Sequence, residues 1–176
     1  LDIERKFGEE GFTVKAIPLQ IPGIRTMEGF QEKRTMILER VPVPPTLVVC
    51  IGDPSWLVAR PLFDKEWKDI PSIICYARDY MYPKEEYLID LDKNVLDTLV
   101  PITDVVKDYN ATFIKSPVYI KQTIELIKKL QPELTKLAFI FDRRYISQQT
   151  KADVEAVLRK DFPGIQFEPL SVSYTH

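Results

Sequence analysis

The sequence predicts an α/β protein: an open, mostly parallel sheet with helices on both faces. Two patterns predict it. Short apolar runs, among them "TLVVCIGD", "PSIICYA", "ATFIK" and "KLAFIFD", alternate with longer stretches of helical spacing, giving about five or six β-α units. The runs are nearly continuous in apolar residues, as strands covered on both faces of a parallel sheet require.

Taken in order, "FTVKAIPLQI" (12–21) alternates enough for a strand, and "MEGFQEKRTMILERV" (27–41) has helical spacing that "VPVPP" ends. "TLVVCIGD" (46–53) is the next strand. Asp53 then offers an N-cap oxygen, Pro54 suits the first helical position, and Trp56, Leu57, Leu62 and Phe63 carry a buried stripe that Pro61 kinks or splits. "DIPSIICYARD" (69–79) repeats the theme. Between 80 and 110 one helix is expected near 92–107, interrupted or ended by Pro101. "ATFIKSP" (111–117) is a strand whose Ser116 and Pro117 open a helix with Ile120, Ile124 and Ile127 on one face. Lys128 and Lys129 complement the dipole of its last turn, and Pro132 stops it. "TKLAFIFD" (135–142) is a strand, "QTKADVEAVLRKDF" (149–162) a helix with Val154, Val157 and Leu158 inward, and "IQFEPLSVS" (165–173) a last strand after Pro163 and Gly164.

The 176 residues, 45% of them apolar, suffice for one core or two small lobes and argue against disorder. Lys and Arg total 24 against 26 Asp and Glu, a net charge of -2 with no long run of one sign, so no nucleic-acid partner is expected. No stretch reaches the roughly 18 to 20 apolar residues that cross a bilayer. The start at Leu1 suggests a piece of something longer. Cys50 and Cys75 lie in apolar runs, as two buried free thiols on neighbouring strands or as a disulfide.

In an open parallel sheet, ligands lie beyond the carboxyl ends of the strands. Three polar clusters are expected there: Asp53, Ser55 and Trp56; Arg78, Asp79 and Tyr80; and Asp142, Arg143, Arg144 and Tyr145. Such groups hold a small polar ligand through bidentate Arg bonds and aromatic stacking. Alternatively, Asp53 only caps its helix and the arginines pair with acids on a solvated edge. The one histidine, His176, is the final residue, which excludes histidine triads, and no GxGxxG, GxxxxGK[ST] or CxxC occurs. A catalytic role, a metal and a cofactor are therefore not expected, leaving carboxylate or magnesium chemistry at Asp53 or Asp142 as the enzymatic alternative.

The order of motifs carries a resemblance. "CIGDPSWL", "PLFDKEWKDIPSIIC" and "KDYNATFIKSPVYIKQTIELIKKLQPELTKLAFIFDRRYISQQTKADVEAVLRKDFPGIQFEPLS" resemble the extracytoplasmic sensor domain of Bacteroides-type hybrid two-component histidine kinase/response regulators. That domain is similar to the substrate-binding proteins of ABC transporters. The likeness runs from about Gly8 to Ser173 and is most specific in "YIKQTIELIKKLQP" and "AFIFDRRYIS".

The resemblance implies Rossmann-like lobes of type I periplasmic-binding-protein kind with a ligand cleft between them. The first would span 1–116 without its first strand, and the second 117–176, incomplete. It further implies a periplasmic location, an unidentified small-molecule solute, and covalently linked transmembrane and kinase domains in the parent. An ABC-importer binding protein is the neighbouring alternative. A third is an interaction or homodimer module using an exposed patch of Tyr80, Met81 and Tyr82.

Overall fold

In the computed structural model, residues 2–24, 26–89, 98–142 and 145–172 are described. The chain is α/β, with an open parallel sheet and helices packed on it in a Rossmann-like arrangement. Helices α1 (Asp2–Glu9) and α2 (Met27–Arg40) precede strand β1 (Val48–Ile51), helix α3 (Asp53–Phe63) and strand β2 (Ser72–Ala77). Two short strands, β3 (Tyr80–Met81) and β4 (Val100–Pro101), flank the middle of the chain, followed by α4 (Ile102–Val106) and β5 (Ala111–Lys115). Then come α5 (Ile120–Leu130), β6 (Lys136–Phe141), α6 (Tyr145–Asp161) and β7 (Gln166–Ser171).

The main sheet has the order β1-β2-β5, all parallel, with Cys50 opposite Ile74 and Ile74 opposite Phe113. Strand residues that pair across a ladder share a face, so this row looks into the larger core. Trp56, Leu57, Leu62 and Phe63 of α3 meet it there, with Ile37 of α2 and Ile102 and Val106 of α4. Full burial stabilises each such aliphatic or aromatic side chain by about 1.5 to 3 kcal/mol. A second parallel pair, β6 and β7, joined through α6, forms a smaller core from Ile124, Val154, Leu158 and Ile165.

Several expectations are corrected. Residues 12–20 form no strand, because Pro18 withholds a donor and Gln20 adopts left-handed backbone (φ 52°). Ile17 and Leu19 still pack on the core, and Lys15 donates to the Arg40 carbonyl. The N-cap of α3 is Gly52, whose φ of 82° suits glycine, while Asp53 is the first helical residue. Pro61 sits in the last turn of α3, which runs unbroken to Phe63. Of the helix expected near 92–107, residues 90–97 lie outside the described residues; Val100 and Pro101 pair antiparallel with Met81 and Tyr80, and the helix after Pro101 is α4 (Ile102–Val106). Helix α5 begins at Ile120 rather than at Ser116, whose N–H is taken by the Ala77 carbonyl at 2.9 Å. Helix α6 begins one turn earlier than expected.

Candidate functional site

The carboxyl ends of β2 and β5 open onto a cleft of about 400 Å³. Its floor and one wall are Ala77, Arg78, Asp79, Tyr80, Lys115 and Ser116, with Leu99 and Val118 as apolar flanks. The opposite wall is the first half of α6, through Gln149, Ala152 and Asp153. The site is thus made where the main sheet's rim meets the helix of the β6-β7 unit.

Register explains how β2 delivers Arg78. The ladder between β2 and β5 shifts between Cys75 and Ala77, with Tyr76 in left-handed backbone at φ 58°. A bulge adds one residue to one strand and re-aims those beyond it. Ala77 therefore returns to the buried side, and the chain leaves the sheet with Arg78 beneath α6. The Arg78 guanidinium donates to Thr150 Oγ1 at 2.9 Å and to Asp153 Oδ2 at 3.3 Å. Burial raises the Asp153 carboxyl above the ordinary range; Arg78 opposes that rise and Asp79 adds to it. Lys115 forms an ion pair with Asp79 across the same rim. Two cations and two carboxylates therefore balance within one cleft.

Gln149 is the most deeply placed polar side chain here. Its amide nitrogen donates to the Tyr80 carbonyl at 2.8 Å, while its oxygen is buried without a hydrogen-bond partner. A buried unsatisfied acceptor costs about 1 to 3 kcal/mol, and a ligand N–H or O–H that reached it would recover that cost.

Of the residues singled out from the sequence, the cleft brings together Arg78, Asp79 and Tyr80. Asp53 is buried at the start of α3, and Ser55 Oγ donates to the Ile51 carbonyl at 2.8 Å, a bond within the turn where β1 passes into α3. Neither lines the cleft. Trp56 belongs to the core: it is fully buried, packs edge-on against Tyr109 and donates its indole N–H to Ser72 Oγ at 3.3 Å. Asp142, just after β6, is buried and does not line the cleft. Arg143 and Arg144 lie outside the described residues, as does the side chain of Tyr145. The expected patch of Tyr80, Met81 and Tyr82 dissolves, because Met81 and Tyr82 are fully buried.

Sequence reasoning missed Lys115, Ser116, Gln149, Thr150 and Asp153. The signal for the first two was present in the strand-end rule, since "IKSP" closes β5. Nothing in "QQTKAD" distinguishes the side of α6 that faces a rim from one that faces water. Another hollow, lined by Gln131–Lys136, lies in the connection before β6 and is more open to solvent. Among the described residues no cluster of histidine, cysteine or carboxylate side chains could hold a metal ion, and no helix is long and apolar enough to cross a membrane. No protein family, curated protein or solved structure was found to match this chain.

Proposed function

We propose that this chain is a non-catalytic, ligand-sensing domain, the extracytoplasmic part of a hybrid two-component histidine kinase, which signals the presence of a small solute. The observation that carries the reading is the cleft at the carboxyl ends of β2 and β5, because it lies where ligands gather in open α/β sheets. Arg78, Lys115, Asp79, Asp153 and Gln149 supply donors and acceptors around it, and Tyr80 an exposed ring at its edge. The motif resemblance in "YIKQTIELIKKLQP" and "AFIFDRRYIS" supplies the sensor part of the reading.

The mechanism is movement of α6 relative to the rim. Arg78 to Thr150 and Asp153, and Gln149 to the Tyr80 carbonyl, are the bonds that join the two walls. A solute shifts the open and closed populations only as far as it binds one better than the other. A thermal-shift screen against sugars, amino acids, nucleosides and carboxylates tests this. Stabilisation that grows with solute concentration, and is lost in Arg78→Ala while that variant keeps its circular dichroism, is the expected result. A chain that no solute class stabilises would overturn it.

A further inference from the structure

We infer, resting on the reading of the cleft as a solute site, that the group it recognises is a primary ammonium carried on a short apolar stem. Three acceptors line the cleft from its two walls: Asp79 just beyond β2, and Gln149 and Asp153 on α6. Gln149 is 5% exposed, and its side-chain oxygen has no hydrogen-bond partner among the described residues. Its amide nitrogen donates to the Tyr80 carbonyl at 2.8 Å, so turning the amide over would set two acceptors against each other. What Gln149 lacks is therefore a donor.

The cations of the cleft are engaged elsewhere. Arg78 donates to Thr150 Oγ1 at 2.9 Å and to Asp153 Oδ2 at 3.3 Å, and Lys115 pairs with Asp79. The carboxylates keep capacity, since each offers about four lone-pair sites and the bond to Asp153 is long for a charge-assisted one. Burial raises the Asp153 carboxyl; among its neighbours Arg78 lowers it and Asp79 raises it, so the two carboxylates repel each other. An ammonium group brings N–H donors together with a positive charge, and so answers both the unpartnered amide oxygen and that repulsion.

Other ligand chemistries fit less well. Among the described residues no cluster of histidine, cysteine or carboxylate side chains could hold a metal ion. An anion meets acceptors that repel it, and a neutral polyol serves Gln149 but leaves the carboxylates repelling. Arg78 and Lys115 oppose an incoming cation, yet the charges of the cleft balance, so its short-range bonds decide. Lys115 already places an alkylammonium on Asp79, and Leu99 and Val118 flank the cleft with apolar surface for a stem.

The probe is n-butylammonium chloride at pH 7, where an alkylamine is protonated, titrated at constant ionic strength and followed by amide NMR that includes the Gln149 side-chain NH2. A ligand of so few atoms binds with a Kd of about 1 mM. Saturable shifts that include Gln149 are expected, with binding weakened about tenfold or more in Asp153→Asn and Gln149→Met, each checked by circular dichroism. Lys115→Met, at an exposed position, supplies the sign: an ammonium binds more tightly once its competitor for Asp79 is gone, whereas an anion binds more weakly. L-Norvaline adds a carboxylate to the butylammonium skeleton; tighter binding than butylammonium identifies an amino acid and weaker binding a simple amine, the ammonium being common to both. If sodium butyrate or glucose shifts the cleft resonances and butylammonium does not, the ammonium assignment falls while the solute-site reading stands; no shift from any probe removes both. Undiminished butylammonium binding in the folded Asp153→Asn and Gln149→Met variants overturns the proposal. Should those variants fail to fold, an affinity that does not rise in Lys115→Met overturns it instead.

Discussion

Arg34 and Glu85 offer the sharpest test of the physical account. Arg34 on α2 donates to Glu85 Oε2 at 2.6 Å and to the Val58 carbonyl of α3 at 3.3 Å, so it joins two helices to the segment that follows the rim. Both side chains are nearly buried, at 13% and 11% exposure. Burial raises the Glu85 carboxyl above its ordinary value, although Arg34 and Arg60 both pull it down. Desolvation therefore exceeds what the arginines return, the usual balance for an ion pair withdrawn from water. Replacing Arg34 by Met leaves the Glu85 carboxylate buried beside one fewer cation, which costs about 3 kcal/mol at pH 7, the low end for a broken buried pair. The pH dependence has a definite sign. A raised folded-state pKa means that the native state binds the proton more tightly than the unfolded chain, so stability falls as pH climbs from the unfolded value of about 4.3 through the folded one. Arg34→Met raises the folded value further. Its penalty is thus large at pH 7 and shrinks at pH 4, where Glu85 is protonated and only lost packing and the Val58 bond remain. Urea denaturation of the wild type, Arg34→Met and Arg34→Met/Glu85→Leu at both pH values measures this. Equal penalties at pH 4 and pH 7, or a double variant no better than the single one at pH 7, would refute the reasoning.

Two further outcomes follow from the geometry. Arg78→Ala and Asp153→Ala should show a coupling of about 0.5 to 1 kcal/mol in a double-mutant cycle, because Asp153 is half exposed and its ion pair is partly screened by water; zero coupling would mean that the two walls of the cleft are not joined there. The two cysteines are free and should differ in reactivity: Cys50 is buried, with its thiol pushed up to about 12 mainly by burial, whereas Cys75 is half-buried on the other face. Labelling of the folded chain with a thiol reagent should modify Cys75 about 100-fold faster or more. Equal rates would contradict the assigned register, as would a disulfide, which needs both side chains on one side of the sheet.

What was legible in the sequence and what was not divides along one physical line. "TLVVCIGD", "SIICYA", "ATFIK" and "KLAFIF" could be read as strands because burial on a sheet demands apolar residues wherever the strand lies. The body of α2, read from its spacing, and the stop of α5 before Pro132 were equally legible, whereas the start of α5 was not. Some failures are small and local, such as the cap of α3 at Gly52 and the unbroken turn at Pro61, and the larger ones involve a partner distant in sequence. Residues 12–20 alternate like a strand, yet among the described residues no strand pairs with them, and Ile17 and Leu19 serve the core from an irregular chain. Trp56 sits beside a strand exit and looks like a rim aromatic, but Ser72 and Tyr109, 16 and 53 positions away, claim it for the interior. The rim itself was half legible. Arg78, Asp79 and Tyr80 follow from the strand-end rule, which is local; Gln149, Thr150 and Asp153 depend on where α6 comes to rest, which is not. The same distinction holds for the strand residues of the main sheet that point away from the larger core: an apolar run announces that both faces of a strand want cover, but it does not say what supplies it. Val49, Ile51 and Ile114 keep the composition of buried strand residues while each is more than half exposed, so composition alone reads them as covered where the fold leaves them open.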